Sequence, residues 1–123
     1  MDREIKFRVW IEEEKAMIDV PIIDFREKGK IKTTYSSPCG EWEYNFDEIE
    51  LMQFTGLYDK NKVPIYEGDI LNFDDEYWVI SFEYGKFIAT FDNVCEDLHE
   101  VSHYEVIGNI HENSNLIGDV NGN

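Results

Sequence analysis

Tyr77-Trp78-Val79-Ile80-Ser81-Phe82-Glu83-Tyr84-Gly85-Lys86-Phe87-Ile88-Ala89-Thr90-Phe91 is the stretch that decides the fold. Trp78, Ile80 and Phe82 fall two residues apart, the spacing of a strand with one buried face. Gly85-Lys86 reads as a two-residue hairpin connection, and Phe87 to Phe91 as the returning strand. Upstream, Glu67-Gly68-Asp69 leads into Ile70-Leu71-Asn72-Phe73, with Gly68 suited to a sharp turn at positive φ, and Asp74-Asp75-Glu76 turns the chain again. Downstream, Asn93 to His103 is polar and reads as a loop with a helical turn. Tyr104 to Ile110 then closes the sheet on Tyr104, Val106 and Ile110. Four strands in succession after Gly68, joined by short turns, make an antiparallel meander that can curl into a small barrel.

The first half follows the same period less regularly. Ile5, Phe7 and Val9 alternate with Lys6 and Arg8, and Glu12 to Lys15 reads as a solvated turn. Met17 to Ile23 resumes with Ile18, Val20 and Ile22, and Pro21 marks this strand as an edge, since proline cannot donate to a ladder. Arg26, Lys28, Lys30 and Lys32 share one face if extended. They form the only basic cluster, and lysines that keep an edge strand from pairing are the preferred reading over a phosphate grip. Thr33 to Gly40 contains Ser36-Ser37-Pro38 and Gly40 and reads as a loop. Glu41 to Met52 reads as partly helical or irregular, on the spacing of Trp42, Phe46 and Ile49. Leu51 to Leu57 and Val63 to Tyr66 flank Tyr58-Asp59-Lys60-Asn61-Lys62 as a hairpin.

Composition limits the classes. With 42% hydrophobic and 15% aromatic residues, the chain of 123 can build a core despite its charge. The charged start Met1-Asp2-Arg3-Glu4 and the lack of any apolar run near the ~18 residues of a membrane span lead to the expectation of a cytoplasmic protein with no membrane partner. Cys39 and Cys95 are expected as reduced packing residues. The net charge is -16, and beyond Pro64 the only Lys or Arg is Lys86. Such a surface repels phosphate backbones, so no nucleic-acid partner is expected. Solubility is the ordinary reading of the charge, and mimicry of DNA toward a DNA-binding protein is the sharper one.

Three blocks carry a family resemblance: Glu4 to Trp10; Leu51-Met52-Gln53-Phe54-Thr55-Gly56-Leu57-Tyr58-Asp59-Lys60-Asn61-Lys62-Val63-Pro64-Ile65-Tyr66-Glu67-Gly68-Asp69-Ile70; and Val106-Ile107-Gly108-Asn109-Ile110-His111-Glu112-Asn113. In this order they resemble the YopX family of bacteriophages and prophages, which has no assigned biochemical activity. Lys62-Val63-Pro64 and His111 depart from the usual family pattern without unsettling it. The resemblance implies a β fold whose C-terminal part is similar to an SH3-like barrel. It makes homo-oligomerisation plausible and implies no catalytic residues. On the residues themselves, Gly56, Gly68 and Gly108 set turns while Phe54, Ile65, Tyr66 and Ile70 fill a core.

The architecture expected is therefore all-β, mainly antiparallel: an N-terminal β lobe over 1–62 with an irregular or short helical segment, a small β-barrel over 63–118, and a frayed tail over 119–123, although Leu116 and Ile117 are able to dock. Cys95, His99 and His103 lie four apart and would share one face of a helix, where a thiolate and two imidazoles hold zinc. The stretch is poor in helix-forming apolar positions, and the tighter pairs of established zinc motifs are missing. Cys39, between Pro38 and Gly40, has no sequence-level base to activate it. Nucleotide-binding and hydrolase templates fail. Trp10, Tyr44, Tyr58 and Tyr77 are candidates for exposed aromatic contacts. No catalytic, cofactor or metal residue is assigned. The expected function is a non-enzymatic, self-associating interaction module of a phage or prophage, with an unknown phage or host protein as further partner. A DNA mimic and a metal-dependent enzyme are the alternatives.

Overall fold

A computed structural model of the chain describes residues 4–19, 22–24, 30–37 and 40–117. The fold is all-β. It separates into two compact units, Ile5–Gln53 and Phe54–Asn123 with Met1–Glu4.

In the first unit, β1 (Phe7–Ile11) pairs antiparallel with β2 (Ala16–Asp19) through the solvated turn at Glu12 to Lys15. The second sheet is β3 (Ile22–Asp24), β4 (Lys30–Ser37) and β5 (Gly40–Asn45), with β4 in the middle. A single 3-10 turn, Phe46–Glu48, leads into β6 (Ile49–Tyr58), whose first residues lie beside β1. The unit's core is Val9, Ile11 and Tyr44, with Ile18, Ile23, Phe46, Ile49 and Leu51 packed on it.

Four expectations change here. Glu41 to Met52, expected as partly helical or irregular, is strand on both sides of the one 3-10 turn at Phe46–Glu48: Trp42, Phe46 and Ile49 stand on three different elements, and Tyr44 is a core residue, 8% exposed. The turn opens with a capping box, the Asn45 amide donating to Glu48 Oε1 at 2.8 Å, and ends at once because Ile49 is already extended and begins β6. The loop expected over Thr33 to Gly40 is largely strand, β4 reaching Ser37 opposite Gly40, because Thr33, Thr34 and Tyr35 favour extended backbone. Met17 to Ile23 is divided between β2 and β3, and Pro21 lies outside the described residues. Finally, Lys30 and Lys32 are on a central strand: Lys30 stands in register with Asp24 and Asn45, and Lys32 with Ile22 and Glu43. Their edge-protecting role is thus excluded, while Arg26 and Lys28 lie outside the described residues.

The second unit takes the rest of β6, then β7 (Pro64–Tyr66), β8 (Asp69–Phe73), β9 (Glu76–Glu83), β10 (Lys86–Phe91), β11 (Val94–Asp97), α1 (Leu98–Val101), β12 (Glu105–Asn109) and α2 (Ser114–Ile117). The hairpin of β6 and β7 forms as expected, with Phe54 opposite Tyr66 and Tyr58 opposite Pro64. Two extra residues of β6 bulge around Gly56 at φ +90. The Thr55 hydroxyl bridges the bulge, donating to Ile65 O at 2.7 Å and accepting from the Leu57 amide at 3.2 Å. Strands β8 to β11 form the meander. The hairpin between β9 and β10 turns on Tyr84-Gly85, one residue earlier than expected, because Glu83 and Lys86 are paired. Both turn residues have positive φ, 57° and 77°, as this tight right-twisting turn demands. Asp74 and Asp75, at 51° and 69°, make the equivalent turn between β8 and β9.

The strand at Glu105–Asn109 does not extend the meander. Its place beside β10 is taken by β11, a strand unread in the sequence, and β12 pairs instead with β8, giving the order β11-β10-β9-β8-β12. The result is a curled half-barrel. The expected helical turn is α1, whose Leu98 and Val101, three apart, enter the core with Ile65, Leu71, Trp78, Ile80 and Ala89. Complete burial of an aliphatic side chain such as Ile65, Leu71 or Ile80 is worth about 1.5–3 kcal/mol each.

Gly108 is not a turn residue as expected. It lies within β12, and a Cβ there would stand 2.3 Å from Asn113 Oδ1. That oxygen accepts the Asn109 amide at 3.0 Å, so the glycine makes room for a side-chain cap on the strand's end. Gly108→Ala is expected to destabilise the protein by about 2 kcal/mol in urea unfolding. In an Asn113→Ala background the same change is expected to cost under about 0.5 kcal/mol; equal costs in the two backgrounds would show that the close approach is not the cause.

Candidate functional site

Among the described residues the buried polar side chains are Asp59, Asp69 and Asn109, at 5%, 1% and 7% exposure. Buried ionisable groups are where catalysis is first sought. All three lie in two of the three blocks of sequence that carry the family resemblance, and all three are committed to backbone groups.

Asp59 ends β6. Its Oδ1 accepts the amides of Asn61 at 2.7 Å and Val63 at 2.8 Å, and its Oδ2 accepts the amide of Val106, 47 residues away, at 2.8 Å. Burial alone would raise this carboxyl, but the amides of Val106, Val63 and Asn61, helped by Lys60, outweigh it and hold the group below the usual carboxylate range. Asp69 Oδ2 accepts the Tyr66 amide at 2.8 Å across the Gly68 turn. Asn109 Oδ1 accepts the amides of His111 and Glu112, while its Nδ2 donates to Glu112 Oε1 at 2.8 Å. These groups tie turns and a strand edge together. A carboxylate that already accepts three amides is a poor proton acceptor.

The structure disperses the sequence's zinc candidates. Cys95 is exposed on β11, His99 is on α1 beside Glu100, and His103 follows the helix with its ring edge-on to Phe73 and Tyr104. Helical spacing is not realised because the helix begins only at Leu98. Among the described residues no three His, Cys, Asp or Glu are grouped to hold a metal ion. Cys39 lies outside the described residues. Of the aromatic candidates, Tyr58 is 46% exposed and Tyr77 half-buried, but Trp10 and Tyr44 are buried. The larger exposed aromatic surfaces are at Phe73, Phe82 and Tyr84.

A groove of about 250 Å³ opens between β6, the start of β10 and the β11–α1 junction, lined by Thr55, Leu57, Lys86, Phe87, Asp97, Leu98 and His99. Sequence reading missed it, although the Leu98/Val101 spacing was the available signal for the element that forms its wall. The Thr55 hydroxyl is already engaged at the bulge, so the floor is apolar. Lys86 Nζ meets Asp97 Oδ1 at 2.6 Å at the rim. The Lys86 contact holds Asp97 below the usual carboxylate range, and Asp97 in turn raises Lys86.

Asp59→Asn replaces one accepting oxygen by a donor and is expected to cost about 3 kcal/mol at pH 7. Because the folded carboxyl lies below its unfolded value of about 3.9, its contribution is complete above that pH and is lost as pH falls through the folded value. Urea midpoints of wild type and variant should therefore differ equally at pH 7 and 5 and converge toward pH 3. A gap unchanged at pH 3 would contradict the assignment.

No curated protein matches the chain. A solved structure, the crystal structure of protein EF1440 from Enterococcus faecalis, is similar at 30% identity and a TM-score of 0.65, over 94% of this chain and 99% of that one. Residues 6–118 match the YopX protein family, nearly the whole length, so the resemblance carried by the buried Asp59, Asp69 and Asn109 blocks is one of shared architecture, and the chain belongs to the YopX family.

Proposed function

We propose that this chain is a non-enzymatic interaction module that self-associates, acting as a phage or prophage accessory protein in the bacterial cytoplasm. The observation that carries the reading is the asymmetry of the five-stranded sheet's two edges. The outer edge of β12 is covered: the Val106 amide donates to Asp59 and the Lys60 amide to Tyr104 O at 3.4 Å. The outer edge of β11 has no strand beside it among the described residues, and Val94 and Cys95 are exposed there. An open edge is a template for a second strand, and two copies meeting across a two-fold axis satisfy each other's backbone groups. Exposed Phe82 and Tyr84 add apolar area. The buried tryptophans, Trp10 and Trp78, contribute nothing to such an interface. The absence of a catalytic role is favoured by the engagement of the buried carboxylates in backbone bonds.

Opposing association is the charge of -16 per copy, whose repulsion acts over a Debye length of about 8 Å at physiological ionic strength. A second reading, mimicry of DNA, draws on the same charge. It is tested by whether the protein displaces DNA-binding proteins from DNA at modest salt.

Light scattering should report a species larger than the 14.6 kDa monomer, strengthening with salt if edge and aromatic contacts dominate and dissociating if the basic Arg26 to Lys32 run meets a neighbour's acidic half. Val94→Glu, which adds charge to the edge, is expected to shift the population toward monomer. A monomer at every concentration and salt would overturn self-association. Stoichiometric zinc retained on purification and lost in Cys95→Ala would instead favour a metal-dependent enzyme.

A further inference from the structure

We infer that the groove between β6, β10 and the β11–α1 junction is a docking site for a short peptide segment of another protein, one that places a large apolar side chain beside a lysine or arginine. The size comes first. At about 250 Å³ the groove falls below the ~300–1,000 Å³ of small-molecule and cofactor sites and suits a single side chain. Its chemistry comes next. Leu57, Phe87 and Leu98 supply apolar walls, and Thr55 offers no unspent hydroxyl because it donates to Ile65 O and accepts from Leu57 N. Nothing in the floor would orient a polar ligand.

The apolar lining continues onto open surface. Phe82 stands opposite Phe87 in the β9–β10 register, with ring centroids 5.0 Å apart and edge to face, and Phe82 is 49% exposed. The core face of this hairpin therefore runs out past its covering elements toward the Tyr84-Gly85 turn, giving an incoming segment a shelf beside the groove.

Charge selects the occupant. The rim holds Asp97, and Glu100 lies next to His99 at 3.1 Å. The only cation of the chain beyond Pro64 is Lys86, which Asp97 already engages. The same half of the sequence carries thirteen Asp and Glu against this one lysine, so an acidic peptide is repelled and a basic one is drawn in. The groove and its shelf share Phe82 with the surface proposed for self-association but not Val94 at the outer edge of β11, so Val94→Glu and the peptide titration separate the two readings.

The test uses the full chain, ¹⁵N-labelled, titrated with a synthetic peptide alternating leucine and lysine. Controls replace lysine by glutamate or leucine by serine. Saturable amide shifts confined to Thr55, Leu57, Phe87, Leu98 and His99 are expected with the first peptide, and neither control should reproduce them. Asp97→Lys is expected to weaken binding by about tenfold, and Phe82→Ser to weaken it at temperatures where the variant is fully folded. Shifts spread over the whole acidic surface, or equal binding of the serine peptide, would reduce the effect to charge attraction and overturn the site. Shifts at the same amides on simple concentration, without peptide, would assign the groove to a second copy and likewise overturn it.

Discussion

The carboxylate of Asp59 is the contact on which the second unit's closure depends. A meander of four strands leaves its first strand with an open side, and β12 fills that side only after the chain has crossed from the opposite edge of the sheet through α1. The arrival of β12 would by itself create a new open edge. Asp59 prevents this by accepting the Val106 amide with one oxygen while the other fastens its own turn through Asn61 and Val63. One side chain thus shapes a local turn and covers a strand edge formed 47 residues later. Ionisation is what makes the double duty affordable, since a carboxylate offers acceptors on both oxygens and a neutral acid or amide does not.

The same economy accounts for the buried polar residues of the blocks that carry the family resemblance. Asp69 spans the Gly68 turn, Asn109 folds the chain after β12, and Gly108 clears space for Asn113. Each is a short polar or small residue at a place where the backbone leaves regular pairing, and each supplies the hydrogen bond or the space that the turn lacks. Buried polar side chains in a protein interior need a partner, and here the partners are backbone amides, so the burial is explained without chemistry on a substrate.

How far the sequence could be read follows from the range of the interactions. Trp78, Ile80, Ala89 and their neighbours announce their strands because alternation is a local property, and the type of turn at Tyr84-Gly85 is a local matter too, missed by one residue because Gly85-Lys86 is an equally plausible pair on paper. The reading failed where pairing partners decide. Val94 to Asp97 has no buried face of its own and becomes a strand only because β10 has a free side. Tyr44 looked like an interruption of a helical pattern because its core partners, Val9 and Ile11, are more than thirty residues away. Lys30 and Lys32 looked like edge residues because nothing in their own segment reveals that strands flank them on both sides. The groove was illegible for the same reason, its walls coming from β6, β10 and α1.

Charge adds a constraint that operates after folding. Acidic side chains crowd the second half while the cores beneath them are ordinary, so the excess charge has no role in holding the strands together, and at -16 it opposes any compact state through self-repulsion. A fold that accepts that cost with a single Lys86 to offset it beyond Pro64 gains two properties at once. Copies are kept apart unless a specific contact outweighs the repulsion, which limits indiscriminate pairing through the open edge of β11. Basic partners are attracted from a distance, before any apolar contact forms, which favours those whose lysines and arginines are set beside an apolar anchor. On the proposed docking reading, the acidic surface would govern which molecules arrive and the apolar groove which of them remain.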